Sequence, residues 1–534
     1  QVETNHAVYH GVKSESGVGT VFYGIPYAHP PVGERRFRAP VPIDGEEELQ
    51  KNGGKKKTVK ALKKPDFCIQ GPAYSSGAGS EDCLHLNIYT PTSALASAST
   101  DGYPSKLPVL VYIHGGGFIY GNPLSWPFEH WVEQFPDVVI VSIYYRLAVF
   151  GFLSTPDGHG LDFNAGFLDQ VEALKWVKKN IESFGGDPNQ ITIDGQSAGG
   201  ASVLLHLLAY EGKQQLFHQA IAHSIYRPGF RRPAETKELF DFVAAEAGCG
   251  GSDSDSVDRV ECLRSKDVAT IMRAAEATQY TDKTWRFLPV VDGHIFKDTP
   301  TQLTVRDKIS HVPVLVGATT DESFTSTEDL GEWLGNIMLR TVLMVLIGEE
   351  LRHWYPNLRD EDVEKIAKVY KGGPFRNELE RRETLLSVET KAGQPSYSYR
   401  FDEPNPTTRR EGDEGKVHHS AENWWMHQGS NTGFALTPFT TASQKSFAKE
   451  LIAYWLSFVR SGDPNTYALP DSPKWPMWDN AKYLGRRMVL KQGETVELAE
   501  GVERYVSGSK VEIVNAAEVT RCKELSKLAS RLHF

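Results

Sequence analysis

The chain lacks any run of about 18 apolar residues, the length a membrane-spanning helix needs. Its most hydrophobic segment, Trp333 to Ile347, is 15 residues long and is interrupted by Asn336 and Arg340. No spanning helix is therefore expected. Positive charge is also scarce: 58 Lys and Arg against 68 Asp and Glu leave a net charge of −10. That balance opposes binding to phosphate backbones or anionic lipid surfaces, so nucleic acid is not an expected partner. The one basic run, Lys51, Lys55, Lys56, Lys57, Lys60, Lys63 and Lys64, has no aromatic residue among its lysines and reads as a solvated surface loop. No Asn-x-Ser/Thr sequon and no internal repeat occurs, and the Ser- and Ala-rich stretch Thr92 to Thr100 reads as an exposed loop. The chain opens on Gln1 with no apolar signal-peptide centre behind it, so its start reads as a processed or trimmed end.

Cysteine is rare as well, with five residues in 534 and no Cys-x-x-Cys spacing. Four fall into two local couples, Cys68 with Cys83 and Cys249 with Cys262, leaving Cys522 single. Closing each couple as a disulfide would stabilise the chain by about 3 kcal/mol in the loop-entropy model and would imply secretion or another oxidising compartment. The alternative is four buried free thiols.

What is present fits a globular chain with a sizeable core: 40% of residues are apolar and 24% charged, without long polar tracts. Short β-branched runs alternate with helical patterns. The runs are Val109 to Ile113, Val138 to Ile143, Ile191 to Ile193, Ala220 to Ala222, Val312 to Val316 and Ser396 to Phe401. That rhythm predicts an α/β fold with a large, mostly parallel sheet and crossover helices. Asp169 to Phe184 places Val171, Leu174, Val177, Lys178 and Ile181 at helical spacing and stops at Gly185-Gly186, which predicts an amphipathic helix. The whole of 1–534 reads as one catalytic domain, with a helix-rich cap or subdomain over roughly 240–390.

Two elements carry chemistry. Gly195-Gln-Ser197-Ala-Gly199 lies between the strand at Ile191 to Ile193 and a helical run, Ala201 to Tyr210. The bare pattern is weak among 47 glycines, but its position between strand and helix is what a nucleophile elbow requires: small neighbours at a sharp turn that projects the serine hydroxyl. His114-Gly115-Gly116-Gly117-Phe118 directly follows the strand Val109 to Ile113, and successive glycines leave backbone N–H groups open to a developing oxyanion. A phosphate loop is the rival, but the Walker lysine and the Gly-x-Gly-x-x-Gly spacing are absent.

With these elements the chain resembles the type-B carboxylesterases, a family that includes cholinesterases and fungal lipases, and within it fungal carboxylesterases most of all. The resemblance runs through Phe22-Tyr-Gly-Ile-Pro-Tyr27, Ser80-Glu-Asp-Cys-Leu84, Tyr145-Arg-Leu147, Asn164-Ala-Gly166, Phe184-Gly-Gly-Asp-Pro188, Gly462-Asp-Pro-Asn465 and Trp475-Pro476. It implies the α/β-hydrolase fold and an esterase that needs no cofactor or metal and acts on a small-molecule ester. It also implies a triad of Ser197, Glu322 and His419, with an oxyanion hole from Gly116, Gly117 and Ala198. Asp321 competes with Glu322, and His418 and His427 compete with His419, whose choice rests on the spacing to Glu422. The order Ser, Glu, His is that of α/β-hydrolases.

The chain departs from the family at Gln196, where Glu is usual, and at Ser323, where Gly is usual. Only 14 residues separate Cys68 from Cys83, too few for a lipase lid helix, and Ile69 to Asp82 holds no Trp of the kind that contacts choline in cholinesterases. The expectation is an esterase for soluble short-chain or aryl esters, preferred over long-chain triglycerides and without choline selectivity. Phe118, Tyr226, Trp424, Trp425 and the segment Trp333 to Ile347 are candidate pocket walls, with core packing as the alternative. Two other classes compete. One is an inactive cholinesterase-like binding protein, against which the complete set of reacting residues speaks. The other is a metal-dependent hydrolase, for which His418, His419 and His427 lack ligand spacing.

Overall fold

The computed structural model describes residues 1–43, 45–71, 76–95, 106–226, 229–250, 255–278, 287–322, 359–369, 394–407, 415–429, 439–478, 485–499, 502–516, 518 and 520. The chain forms two compact units, Gln1–Gln219 with Phe230–Asp298, and Ala220–Gly229 with Thr299–Phe534.

In the first unit the apolar run at 107–113 becomes the strand Leu107–Ile113, with Val139–Ile143 and Gly186–Gln196 parallel to it on either side. Every residue of Val139–Ile143 is buried, which is why it reads as continuous rather than alternating apolarity. The sheet continues antiparallel through His85–Pro91, Gly19–Pro26 and Val12–Lys13. Ile113 pairs with Gly195 across the contact with Gly186–Gln196, so the strand ends leading to His114 and to Ser197 lie side by side. The predicted helix starts four residues earlier, at Ala165, and runs to Asn180; its expected last turn, Ile181–Phe184, is a 3-10 helix closed by Gly185 at φ 87°. Val171, Leu174, Val177 and Ile181 are buried, whereas Lys178 is half-buried and donates from Nζ to the Gln215 carbonyl.

A buried ion pair ties this helix to the segment that follows the strand Val139–Ile143. The Arg146 guanidinium donates to Asp169 from Nε (2.7 Å) and Nη2 (2.6 Å), and the Arg146 backbone N–H donates to the same carboxylate at 3.0 Å. A small separate sheet pairs Val2–Glu3, Ala7–His10 and Lys57–Lys60 in that order. The expected lysine-rich loop is thus corrected: its central part is an edge strand, exposed but hydrogen-bonded to Ala7–His10. Residues 92–95 of the expected Ser- and Ala-rich loop form a helical turn, and the remainder, 96–100, lies outside the described residues.

In the second unit Val314–Thr319 lies parallel between Gln219–His223 and Ser396–Phe401, followed by Arg486–Leu490 in parallel and Lys510–Ile513 antiparallel. The strand predicted over 312–316 starts two residues later, because Pro313 has no N–H to pair; Val314 N–H makes the first bond, to Pro395 O. The helix Ala442–Ser461 begins with a capping box from Thr441 and Gln444 and ends on Gly462 at φ 73°. Phe447, Trp455 and Phe458 face Phe401, Tyr399 and Tyr397, with ring centroids 5.3–6.1 Å apart. Each such buried side chain contributes roughly 1.5–3 kcal/mol relative to exposure.

Candidate active site

Ser197 occupies the turn between the strand Gly186–Gln196 and the helix Ala198–Gly212, at φ 60° and ψ −119°. A non-glycine residue there carries strain of roughly 1–3 kcal/mol, which its surroundings must impose. The flanking glycines allow it. A Cβ on Gly199 would fall 2.0 Å from the Ile113 carbonyl oxygen, and one on Gly195 would fall 2.4 Å from Gly199.

The glycine turn lies directly against this serine. A Cβ on Gly115 would sit 2.5 Å from the Gln196 oxygen and 3.0 Å from the Ser197 Cβ. Gly116 and Gly117 have φ of 114° and 63°, and Phe118 follows at 63°, fully buried. The turn is held at several points. Gly121 N–H donates to Gln70 Oε1 at 2.6 Å, Tyr145 Oη donates to the His114 carbonyl at 2.8 Å, and the His114 ring stacks on Tyr145 at 4.4 Å. Burial pushes the His114 pKa down to about 4, so the ring is neutral. Among the described residues the amides of Gly116, Gly117 and Ala198 donate to no other group.

Within the second unit the structure brings Glu322 and His419 together. Glu322 Oε2 lies 2.5 Å from His419 Nδ1, while Oε1 accepts the Thr319 N–H at 2.9 Å. Glu322 is 1% exposed, so water does not compete for these bonds. The adjacent acid does something else: Asp321 Oδ2 accepts the Val417 N–H, and Asp321 N–H donates to the Val417 carbonyl, both at 2.9 Å. That clip fixes the loop carrying His419. Ser420, in the left-handed region at φ 70°, opens the helix Ala421–Met426. Glu422 is buried, and its pKa is raised chiefly by that burial. His223 accepts from Trp455 Nε1 at 3.1 Å through Nε2, which leaves Nδ1–H for Tyr399 Oη at 3.0 Å.

The model of the carboxylesterase family matches residues 1–496. The chain belongs to the carboxylesterase family. It is accordingly a carboxylic ester hydrolase with the α/β-hydrolase fold. Carboxylesterase 5A of Felis catus is 30% identical over 519 residues, covering 90% of this chain and 88% of that one. Acylcarnitine hydrolase of Mus musculus is 31% identical over 507 residues, covering 88% and 83%. Among solved structures, EstA of Aspergillus niger superposes with a TM-score of 0.80 at 27% identity, covering 99% of this chain and 98% of that one. A PNB esterase gives 0.73 at 25%, covering 98% and 99%.

Both disulfides of this carboxylesterase form as the cysteine spacing predicts, Cys68–Cys83 and Cys249–Cys262, compatible with an oxidising compartment. No helix among the described residues is long and apolar enough to cross a membrane, and no group of three or more His, Cys, Asp or Glu among them is placed to hold a metal. Gln196 is buried, with its side-chain oxygen near Gly115; Ser323 and the segment Trp333 to Ile347 lie outside the described residues. Trp424 and Trp425 are buried against each other and against Phe439, Trp425 also contacting Phe447, while Tyr226 is half-buried. Sequence reasoning assigned no role to Tyr145, Gln70 or the Thr319 amide in the carboxylesterase site. Tyr145 stood in a family motif, whereas nothing local marks Gln70.

Proposed function

We propose that this carboxylesterase works through an acyl-enzyme on Ser197, with His419 as general base and acid and Glu322 as its orienting carboxylate. The observation that carries the reading is the buried Glu322–His419 contact at 2.5 Å, which commits Nδ1 to the carboxylate and leaves Nε2 to exchange protons. In the reaction Ser197 Oγ attacks the ester carbonyl as its proton passes to His419 Nε2. The tetrahedral oxyanion is met by the N–H groups of Gly116, Gly117 and Ala198, each contributing about 3 kcal/mol to the transition state. Collapse expels the alcohol, which takes the proton back from His419, and water then hydrolyses the acyl-enzyme by the same route.

The short loop between Cys68 and Cys83 supports soluble short-chain or aryl esters over long-chain triglycerides. Gln196, where the family carries an acid, leaves the back of the site without that charge, and Phe118, Tyr226, Trp424 and Trp425 remain the proposed pocket residues. The two disulfides favour a secreted or otherwise oxidised protein. We retain one catalytic domain over 1–534, with a helix-rich cap at roughly 240–390.

The test is a panel of p-nitrophenyl and aryl esters of graded acyl length, run on the wild type beside Ser197→Ala, His419→Ala, Asp321→Asn and His418→Ala. The first two should lose kcat and fluorophosphonate labelling, and the last two should keep most of both. Full activity in Ser197→Ala would sink the mechanism, and a wild type inert to every ester and to the label would favour the binding-protein reading.

A further inference from the structure

The lysine run found no use in catalysis, and the structure gives it an unusual setting. Lys57–Lys60 is an outer strand of the small sheet, paired among the described residues with Ala7–His10 alone. Lys51 is neutralised by Glu47 at 2.7 Å, with Glu48 beyond, and Lys56 by Glu3 at 2.7 Å. Lys55, Lys57, Lys60, Lys63 and Lys64 are exposed and have no carboxylate within salt-bridge distance among the described residues. The other acids nearby in the chain are Asp44, Glu46 and Asp66. The Lys64 ammonium lies 5.9 Å from the Tyr23 ring centre.

One or two lysines are enough to keep an edge strand from pairing with another chain. Five unpaired ones, extending past both ends of a four-residue strand, concentrate positive field on a chain of net charge −10. Self-attraction to the acidic remainder does not consume them. Strand alternation puts Lys57 and Lys60 on opposite faces, roughly 10 Å apart along the chain. A flat bilayer meets one face of such an edge at a time. A flexible polymer of sulfates or carboxylates follows it round and reaches all five.

We infer that this edge binds a linear anionic polysaccharide, one bearing sulfate or uronate groups. The inference is independent of the catalytic reading, because none of these lysines belongs to the proposed machinery. The probe is heparin immobilised on a sensor surface, with the full chain as analyte. Release of counterions by five ammonium groups gives a slope of about −3.5 to −4.5 in log K against log salt, hence about a 100- to 500-fold loss of affinity from 50 to 200 mM NaCl. Substituting all five (Lys55→Gln, Lys57→Gln, Lys60→Gln, Lys63→Gln and Lys64→Gln) should abolish binding while p-nitrophenyl ester hydrolysis and the thermal midpoint stay unchanged. The inference is overturned by any of four results: no binding at 50 mM NaCl, a salt slope near zero for the wild type, undiminished binding by the substituted protein, or equal binding to phosphatidylserine vesicles.

Discussion

Replacing Glu322 with glutamine tests the site through the position of a single proton. In the native chain Glu322 Oε1 accepts the Thr319 N–H at 2.9 Å, and Oε2 meets His419 Nδ1 at 2.5 Å. A glutamine offers one acceptor oxygen and one donor nitrogen. The Thr319 amide can only donate, so it takes the oxygen, and the NH2 group turns toward His419. Nδ1 then becomes an acceptor, the imidazole proton moves to Nε2, and the nitrogen assigned to receive the Ser197 proton is already occupied. The corresponding carboxylate-to-amide change in a serine protease triad lowers kcat about 10⁴-fold, or roughly 5.5 kcal/mol of transition-state stabilisation. The expected result for Glu322→Gln, assayed on p-nitrophenyl butyrate, is a fall of that order in kcat with KM nearly unchanged, since the substrate is bound by other groups. Fluorophosphonate labelling should slow in parallel. The fold should survive, because volume is conserved and a buried charge is removed. A drop in kcat of less than about 10-fold would refute both the tautomer argument and the assignment of His419 as base.

Three further outcomes follow from the fold. Asp169→Asn leaves the Arg146 guanidinium buried without its charge partner and should lower unfolding stability by about 3–5 kcal/mol in urea titrations, a loss under about 1 kcal/mol contradicting the reading. Cys68→Ser with Cys83→Ser opens a loop with a sequence separation of 15 and should remove about 3 kcal/mol, with dithiothreitol producing no further change at that site. Burial holds the pKa values of His114 and His206 down to about 4 against an ordinary 6.5, so between those values the unfolded chain binds protons that the folded chain refuses. Stability is therefore full above pH 6.5 and declines as pH falls toward 4; an unfolding midpoint at pH 5 equal to that at pH 7.5 would contradict this.

The parts of the site legible in sequence are those where backbone geometry dictates the residue. Gly195 and Gly199 are required because a Cβ at either would collide with main chain, and the triple glycine because a Cβ on Gly115 would enter the space of Ser197. Local pattern carries such constraints, and so it placed Ser197 at a strand-to-helix turn beside the glycine turn. It does not by itself separate Asp321 from Glu322, since both are acids in one loop; the family resemblance is what selects Glu322. The structure separates them by the pairing of Asp321 with Val417, 96 residues away, which occupies the Asp321 carboxylate on one main-chain N–H, whereas Glu322 meets His419. The lysine run was misread for the same reason: its strand exists because Ala7–His10 offers a partner some 50 residues earlier, and exposed lysines alone do not reveal that. Adjacency in sequence and function in space thus come apart at residues 321 and 322, and kinetics can separate them. Asn at position 321 keeps an oxygen for the Val417 N–H, so Asp321→Asn should retain most of kcat where Glu322→Gln loses nearly all. Equal losses would mean that the loop's rigidity, rather than the carboxylate on the imidazole, is what the site needs.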